Sequence, residues 1–331
     1  MAWLFLLPIL CAERTIVRQA KKINRLSEPE QTHLQGETMD ISSFRNGNPK
    51  RRIQGTGSKA ALGVLFSLGL ISWTAWENAS LEITEYVHHD SQIPEPFSGF
   101  RIAHVTDLHN SVYGKHNVRL LEALRGTKPD CIFITGDLVD SRNTNLPIAL
   151  DFVRRAADIA PIYYVPGNHE SRLRGQYAQL VRGLKEYGVN VLANQTATLF
   201  RGKERICLIG ADDPGFQIGD DGDLMKSSLS KLAISEESFN ILLVHRPELF
   251  PVYSAFPIDL VFSGHSHGGQ IRIPHLGGVY VPCQGFFPTY DAGKFTKNGT
   301  TMYISRGLAR IPFLPRIHNR PELLVVELRR E

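Results

Sequence analysis

The sequence predicts an α/β fold with a mainly parallel sheet, preceded by an N-terminal transmembrane helix. From Phe100 onward, short apolar strands alternate with segments of helical spacing, which is the pattern of βαβ units. After about Val189 the helices give way to a series of short strands. Ahead of both, residues 60–76 run for 17 positions without a charge. The 331-residue chain is 42% hydrophobic, which is enough for a sizeable core and excludes a wholly disordered protein.

Residues 60–76 are predicted to be a transmembrane anchor or signal-anchor, since 17 residues is the lower limit for a spanning helix. The charged flanks are Lys50, Arg51, Arg52 and Lys59 before the run and Glu77, Glu82 and Glu85 after it. By the positive-inside rule, this asymmetry places the N-terminal side in the cytoplasm and the rest outside. A buried core helix and a cleaved export signal are the alternatives.

Residues 1–59 are predicted to form a basic, largely flexible segment, with Met39 as an alternative start to Met1. They carry 10 Lys and Arg against 5 Asp and Glu, whereas the remainder carries 27 against 28. The folded part is therefore near neutral, and no nucleic-acid partner is expected. Residues 77–97 are predicted as a linker and residues 98–331 as the catalytic domain. Four scattered cysteines without a CxxC pair exclude a disulfide scaffold and a cysteine zinc finger.

The two halves of residues 98–331 differ in their periodicity. In the first half, strands are predicted at 101–106, 131–135 and 162–165, and helices at 117–125, 146–157 and 176–187. In the second half, strands are predicted at 189–192, 197–200, 205–210, 239–244, 258–263, 270–273, 300–305 and 322–328, the first three as a meander. Residues 274–299, rich in Gly, Pro and aromatic residues, are predicted to be a long functional loop.

Polar residues follow the predicted strands where each strand ends. They are Asp107-Leu108-His109, Gly136-Asp137-Leu138-Val139-Asp140, Gly167-Asn168-His169-Glu170, His245 and Gly264-His265-Ser266-His267. Strand ends in an open α/β sheet face one crevice, so these side chains are expected to converge. A single Asp or Asn could merely cap a helix, but caps do not account for five histidines. Imidazole and carboxylate groups suit divalent ions such as Mn²⁺, Fe²⁺ or Zn²⁺, and their number fits two.

In this order, the motifs D-x-H, G-D-x-x-D, G-N-H-E, H and G-H-x-H resemble those of the calcineurin-like metallophosphoesterase superfamily. The resemblance covers roughly residues 98–330. The run from Gly264 to Pro274 and the closing segments Arg306-Gly307-Leu308 and Arg320-Pro321-Glu322-Leu323 resemble a bacterial membrane-linked branch. That branch is named for UDP-2,3-diacylglucosamine pyrophosphatases. Ser266 stands where the branch more often has Thr, a position with no ligand role.

The resemblance implies a metallophosphoesterase-type sandwich of two mixed β-sheets flanked by helices. It also implies a role for each motif residue. The implied ligands of the first metal are Asp107, His109 and His267, those of the second are Asn168, His245 and His265, and Asp137 bridges the two. The implied catalytic residue that faces the substrate is His169, while Asp140 and Glu170 orient the ligands.

On this resemblance, the protein is a membrane-anchored binuclear-metal phosphohydrolase that cleaves phosphoester or pyrophosphate bonds by attack of a metal-bridging hydroxide. Its expected substrate is a phosphorylated small molecule or lipid. One alternative is a lipid-nucleotide pyrophosphatase of the lipid A pathway, and another is a metal-binding adaptor with incidental activity. The charged flanks predict a single-pass protein of the cell membrane with an extracytoplasmic catalytic domain, whereas UDP-linked substrates are cytoplasmic. Topology therefore separates the two enzymes.

Overall fold

In the computed structural model, which describes residues 56–310 and 315–331, two mixed sheets of six strands each face one another between helices. The strands are β1 (Glu82–His89), β2 (Arg101–Val105), β3 (Cys131–Thr135), β4 (Ile162–Val165), β5 (Asn190–Val191), β6 (Gln195–Arg201), β7 (Glu204–Gly210), β8 (Asn240–Leu243), β9 (Leu260–Ser263), β10 (Arg272–Ile273), β11 (Gly277–Gly278), β12 (Tyr280–Val281), β13 (Gly285–Phe286), β14 (Gly293–Lys297), β15 (Thr300–Ile304) and β16 (Glu322–Arg329). The helices are α1 (Thr56–Ala79), α2 (Val118–Gly126), α3 (Leu146–Ala157), α4 (Asn168–Ser171), α5 (Gly175–Glu186), α6 (Asp221–Ser230) and α7 (Phe250–Tyr253). This architecture confirms the implied sandwich of two mixed β-sheets flanked by helices.

The first sheet has the strand order β1-β16-β2-β3-β4-β5. Strands β2 to β5 are parallel to one another, as the βαβ pattern predicted, while β16 runs antiparallel to β2. Apolar stripes of α2, α3 and α5 cover the outer face, where Leu121, Phe152 and Leu184 pack into one cluster with Ile134. Burial on both faces explains why β3 reads as an unbroken apolar run.

The second sheet has the order β14-β15-β9-β8-β7-β6. Its four central strands are parallel, and an antiparallel hairpin closes each edge. Helices α6 and α7 pack on its outer face through Met225 and Tyr253. Between the two sheets lies the main core, in which the rings of Phe133 and Phe262 meet edge to face at 5.1 Å.

Helix α1 contains the apolar run of residues 60–76, so a helix forms where one was predicted. Its side chains from Leu62 to Ile71 are largely exposed. Within residues 56–310 and 315–331, however, no helix combines the length and the apolar character needed to cross a membrane. The spanning prediction for residues 60–76 is therefore not supported. The run is short, and Ser67, Ser72 and Thr74 interrupt it. The predicted flexible segment, residues 1–59, lies almost wholly outside the described residues.

The prediction that residues 77–97 form a linker is wrong, because β1 lies within them and pairs along its whole length with β16. The usual alternation of apolar residues facing inward and polar residues facing outward is largely reversed in β1. Its inward face holds Glu82, Thr84, Tyr86 and His88, whereas the apolar Ile83 faces solvent. A polar inward face gives no amphipathic signal of the usual kind, so the alternation in the sequence did not reveal the strand.

Two further expectations differ from the structure. The predicted meander of residues 189–210 is divided between the sheets, because β5 joins β4 in the first sheet whereas β6 and β7 form the edge hairpin of the second. The predicted loop of residues 274–299 contains β14, paired with β15, and most of two small hairpins. Glycine-rich stretches of this kind give a weak strand signal, because two-residue strands show no periodicity.

Candidate metal centre

The carboxyl ends of strands from both sheets meet at one rim of the sandwich. In the first sheet, Asp107, Asp137 and Asn168 come just after β2, β3 and β4. In the second sheet, His245 and His265 come just after β8 and β9. Because the strands within each set are parallel, their ends point the same way, and the side chains converge as the sequence predicted.

A first group comprises Asp107, His109 and His267, whose candidate ligand atoms all lie within 4.8 Å of one another. Asp107 Oδ1 is 3.5 Å from His267 Nε2 and 3.9 Å from His109 Nε2. The same carboxylate accepts a hydrogen bond from the backbone N–H of His265, with Oδ2 at 3.0 Å. Asp107 thus connects the first sheet to the turn after β9 in the second sheet, which carries His265 and His267.

A second group comprises Asp137, His245 and His265, again within 4.8 Å of one another. His245 Nε2 is 3.2 Å from Asn168 Oδ1 and 3.2 Å from His265 Nδ1. The Nδ1–H of His245 donates to the carbonyl oxygen of Thr135 at 2.8 Å. This hydrogen bond keeps a proton on Nδ1 and leaves Nε2 facing the centre of the group, where it can take up a proton or bind an ion.

Asp137 lies between the two groups. Its Oδ2 atom is 3.4 Å from His109 Nε2 and 3.2 Å from His245 Nε2. One carboxylate oxygen therefore approaches a histidine of each group, which is the position that a bridging ligand would need.

The backbone at these positions is unusual. Five of the seven predicted ligands have a positive φ: Asp107 (52°), His109 (45°), Asp137 (49°), His265 (66°) and His267 (47°). A residue other than glycine in this region costs on the order of 1–3 kcal/mol, and such residues cluster at functional sites. The surrounding contacts hold the turns in conformations that aim the side chains at the rim.

Two motif glycines permit the close approach of neighbouring turns. A Cβ atom on Gly167 would collide with the carboxylate of Asp137, and one on Gly264 would collide with Thr106 and the carboxylate of Asp107. Glycine is thus required on steric grounds in the G-N-H-E and G-H-x-H motifs, because any side chain there would displace a predicted ligand.

His169 stands at the edge of the first group, with its ring centroid 4.4 Å from that of His109. Its Nδ1 accepts a hydrogen bond from the backbone N–H of Ser141 at 3.0 Å and lies 3.4 Å from Asp140 Oδ1. Because Nδ1 accepts, the ring proton of the neutral imidazole is assigned to Nε2. The adjacent ring of His169 lowers the pKa of Asp140.

Glu170 is buried behind the rim and binds backbone rather than side chains. Its carboxylate accepts N–H groups from Gly167 at 2.7 Å, Asp137 at 2.8 Å and Val139 at 3.1 Å. Burial, followed by the nearby charge of Asp137, raises the pKa of Glu170 to about 7. One side chain therefore joins the turn that carries Asp137 to the turn that carries Asn168, in keeping with its predicted orienting role.

The electrostatics of the site favour anionic carboxylates, a positively charged His245 beside them, and neutral imidazoles at His265 and His267. Burial opposes charge on Asp137, but attraction to His245 outweighs it and lowers the pKa of this carboxyl. Burial also opposes charge on His245, yet the Asp137 carboxylate raises the pKa of this imidazole to about 10. Burial lowers the pKa of His265 and of His267 to about 3. The carboxylates thus favour positive charge at the centre of the rim, while two of the imidazoles stay free to act as ligands.

The donor set fits divalent metal ions. His245 Nε2 faces Asp137 Oδ2 and Asn168 Oδ1 at 3.2 Å each, and a carboxylate or amide oxygen can only accept. His109 Nε2 is buried near two carboxylates and has no hydrogen-bond partner among the described residues. Acceptors packed this closely require positive charge between them, either a proton on His245 or a metal ion, and imidazole, carboxylate and amide oxygen are suitable ligands for borderline divalent ions.

Sequence reasoning missed several residues that support this site. Arg246 binds the buried Asp213 through two hydrogen bonds, from Nε at 2.7 Å and Nη2 at 2.9 Å, and thereby secures the turn after His245. Asn319 donates from Nδ2 to the carbonyl oxygen of His267 at 2.8 Å. The position of Arg246, directly after the predicted ligand His245, could have indicated its supporting role. Nothing in the sequence indicated a supporting role for Asn319, since 52 residues separate it from His267.

Comparison with known proteins gives the same picture. Residues 100–269, which are 170 of the 331 residues, match the family model of calcineurin-like phosphoesterases. An uncharacterized metallophosphoesterase of Bacillus subtilis (strain 168), YkuE, is 29% identical over 84% of this chain and 96% of its own length. The phosphodiesterase YaeI of Escherichia coli (strain K12) is 29% identical over 69% of this chain and 82% of its own. A transmembrane protein with a metallophosphoesterase domain from Danio rerio is 26% identical over 72% of this chain and 55% of its own.

The chain therefore belongs to the calcineurin-like phosphoesterase family. It is a metal-dependent hydrolase of phosphoric esters, as the order of its motifs implied. The narrower branch of UDP-2,3-diacylglucosamine pyrophosphatases stays a prediction.

Proposed function

We propose that this protein hydrolyses phosphoesters at a centre of two divalent ions. The observation that carries the proposal is the place of Asp137, whose Oδ2 atom lies between His109 Nε2 and His245 Nε2 at 3.4 and 3.2 Å. Two groups of ligands that share one carboxylate are the arrangement in which paired ions cleave phosphate esters. The proposed ligands of one ion are Asp107, His109 and His267, and those of the other are Asn168, His245 and His265. Mn²⁺, Fe²⁺ or Zn²⁺ would suit this mixture of donors.

Bound divalent ions would supply Lewis acidity and lower the pKa of coordinated water. The chain itself supplies the orientation and a proton donor. His169 is held through Nδ1, which accepts the backbone N–H of Ser141, so its Nε2–H is free to point into the site. We assign this N–H to the leaving oxygen of the substrate, which it would stabilise or protonate as the phosphoester bond breaks.

The substrate class proposed first is the phosphodiester, because the Escherichia coli relative is named a phosphodiesterase. The second candidate is a lipid-nucleotide pyrophosphate, which the run from Gly264 to Pro274 favours by its resemblance to that branch. The test is a panel of phosphomonoesters, phosphodiesters and pyrophosphates, assayed with Mn²⁺ on the full chain. Preferential turnover of diesters is expected. Turnover of pyrophosphates alone would support the second candidate, and turnover of none would contradict the proposed function.

We also propose that α1 attaches the enzyme to a membrane. The support is the exposure of its apolar side chains, such as Phe66 at 74% and Leu65 at 64%, which is unusual for a helix that stays in water. The end of α1 is fixed to the catalytic domain, since Asn78 exchanges hydrogen bonds with the backbone of Arg316 at 2.8 and 2.9 Å. An extracytoplasmic catalytic domain would also require residues 60–76 to span the membrane, and its support is the charged flanks alone.

A further inference from the structure

His265 has one ring nitrogen that the proposed metal centre does not use. Its Nδ1 faces His245 within the second group of ligands, whereas its Nε2 points away from that group. The residue is only 8% exposed, and Nε2 has no hydrogen-bond partner anywhere in the described part of the chain. When Nδ1 is kept free to bind an ion, Nε2 carries the ring proton, and a buried N–H without a partner is costly.

The group in front of His265 Nε2 is the carboxylate of Glu248, with Oε1 at 3.9 Å. Glu248 lies in the helical turn Pro247–Leu249, shortly after His245 in the chain, and its side chain is 16% exposed. Both of its oxygens are buried and lack hydrogen-bond partners among the described residues. In that tautomer, the unpartnered Nε2–H faces an unpartnered carboxylate, at about 1 Å beyond ordinary hydrogen-bond length.

Within residues 56–310 and 315–331, no neighbouring cation binds Glu248 at hydrogen-bond distance. Arg246 is the nearest, but its Nη1 lies 3.9 Å from Oε1 and already donates to Asp221 Oδ2 at 2.6 Å. Its Nε and Nη2 atoms donate to Asp213. Glu248 and His265 also form a group with the exposed Cys283, in which the candidate ligand atoms lie within 4.8 Å of one another. His265 is therefore the buried donor best placed to bind the carboxylate.

We infer that Glu248 is a positioning residue for the second metal ion. Its carboxylate would accept the Nε2–H of His265, which fixes the tautomer that leaves the Nδ1 lone pair free for the ion. A carboxylate behind a metal-bound histidine also makes the imidazole more basic and holds its ring plane. The inference rests on the proposed two-ion function and adds to it a residue from outside the five sequence motifs.

The test is stepwise Co²⁺ titration of the metal-stripped full chain, followed by its absorption spectrum and by competition with a chelator. Glu248→Met keeps the length of the side chain but removes the acceptor. It is expected to weaken binding of one of the two ions by about 10- to 100-fold, the usual effect of removing such a partner, and to leave the other ion unchanged. Glu248→Gln keeps an acceptor oxygen and is expected to fall between Glu248→Met and the wild type.

Glu327→Met is the matched control, because Glu327 has the same 16% exposure and lies on β16, where it pairs with Arg101 rather than with a predicted ligand. It should leave both Co²⁺ affinities unchanged. Wild-type affinities in a folded Glu248→Met variant would overturn the inference, as would binding of three ions by the wild type with loss of one in the variant, since Glu248 would then be a ligand. A wild-type chain that binds fewer than two ions would instead overturn the proposed function.

Discussion

At the scale of single residues, the candidate metal centre depends on side chains that bind the backbone as much as on side chains that would contact an ion or the substrate. Glu170 receives three backbone N–H groups, and Asp107 receives the N–H of His265. These hydrogen bonds hold strained turns in which a predicted ligand has a positive φ. The proposed roles therefore divide into residues that would touch an ion or substrate, such as His169, and residues that fix their positions.

His169→Gln tests the proposed proton donor. The variant is expected to retain both ions and to lose roughly 10²- to 10⁴-fold in turnover of an alkyl phosphoester, the range usual for general acid catalysis. The loss should be smaller for a nitrophenyl ester, whose leaving group needs little protonation. Turnover on both esters and ions per chain are measured together. Equal losses on the two esters would indicate electrostatic stabilisation instead, and loss of an ion would make His169 a ligand.

At the scale of elements, the strands set the position of the site, but only some of the strands could be predicted from the sequence. β3 is buried on both faces and reads as an apolar run that ends in the G-D motif, so both strand and site residue were predictable. β1 was not, because its inward face is polar. His88 on this face packs between Phe239 and Tyr303, with ring centroids 6.2 and 6.0 Å away.

The buried imidazole of His88 should make stability depend on pH. Neither of its nitrogens has a hydrogen-bond partner among the described residues, and burial lowers its pKa to about 4. Above pH ~6.5 the ring is neutral in the folded and unfolded chains, so it has no effect. Between pH ~6.5 and 4 only the unfolded chain gains the proton, and the free energy of unfolding should fall by up to about 3 kcal/mol.

His88→Phe is expected to remove this part of the acid destabilisation, as measured by urea unfolding at pH 7, 5.5 and 4.5. The exposed neighbour His89 provides the control variant, His89→Phe, which should keep the wild-type dependence on pH. A His88→Phe variant as acid-sensitive as the wild type would show that His88 is protonated in the folded chain.

At the scale of the whole molecule, two sheets with the same direction of parallel strands bring five sequence motifs to one rim. Their order along the chain was enough to predict the family, the sandwich and the convergence of Asp107, Asp137, Asn168, His245 and His265. Sequence could not locate Glu248 or Asn319, because their significance lies in contacts that only the folded chain creates. Nor does the folded chain support the predicted span at residues 60–76, since a 17-residue apolar run lies at the limit between a spanning and a non-spanning helix.

Attachment through α1 can be tested on the whole protein. Phe66→Ser combined with Leu70→Ser is expected to shift the protein from the floating to the bottom fraction in liposome flotation, because both side chains are exposed apolar groups on α1. Turnover of a soluble ester should stay at the wild-type level. Phe200→Ser is the control, since Phe200 on β6 is 72% exposed, close to the 74% of Phe66. Flotation of the double variant like the wild type would contradict attachment through this helix.

The central claim, a two-ion centre bridged by Asp137, is tested most directly by counting ions per chain. Full-length protein is loaded with Mn²⁺, freed of excess metal and examined by elemental analysis beside Asp137→Asn. The wild type is expected to hold two ions per chain and to hydrolyse phosphoesters, while Asp137→Asn should hold fewer and lose most activity, because one oxygen of Asp137 lies between both groups of ligands. A wild-type chain that is active with a single ion, or an Asp137→Asn variant with two ions and full turnover, would contradict the account.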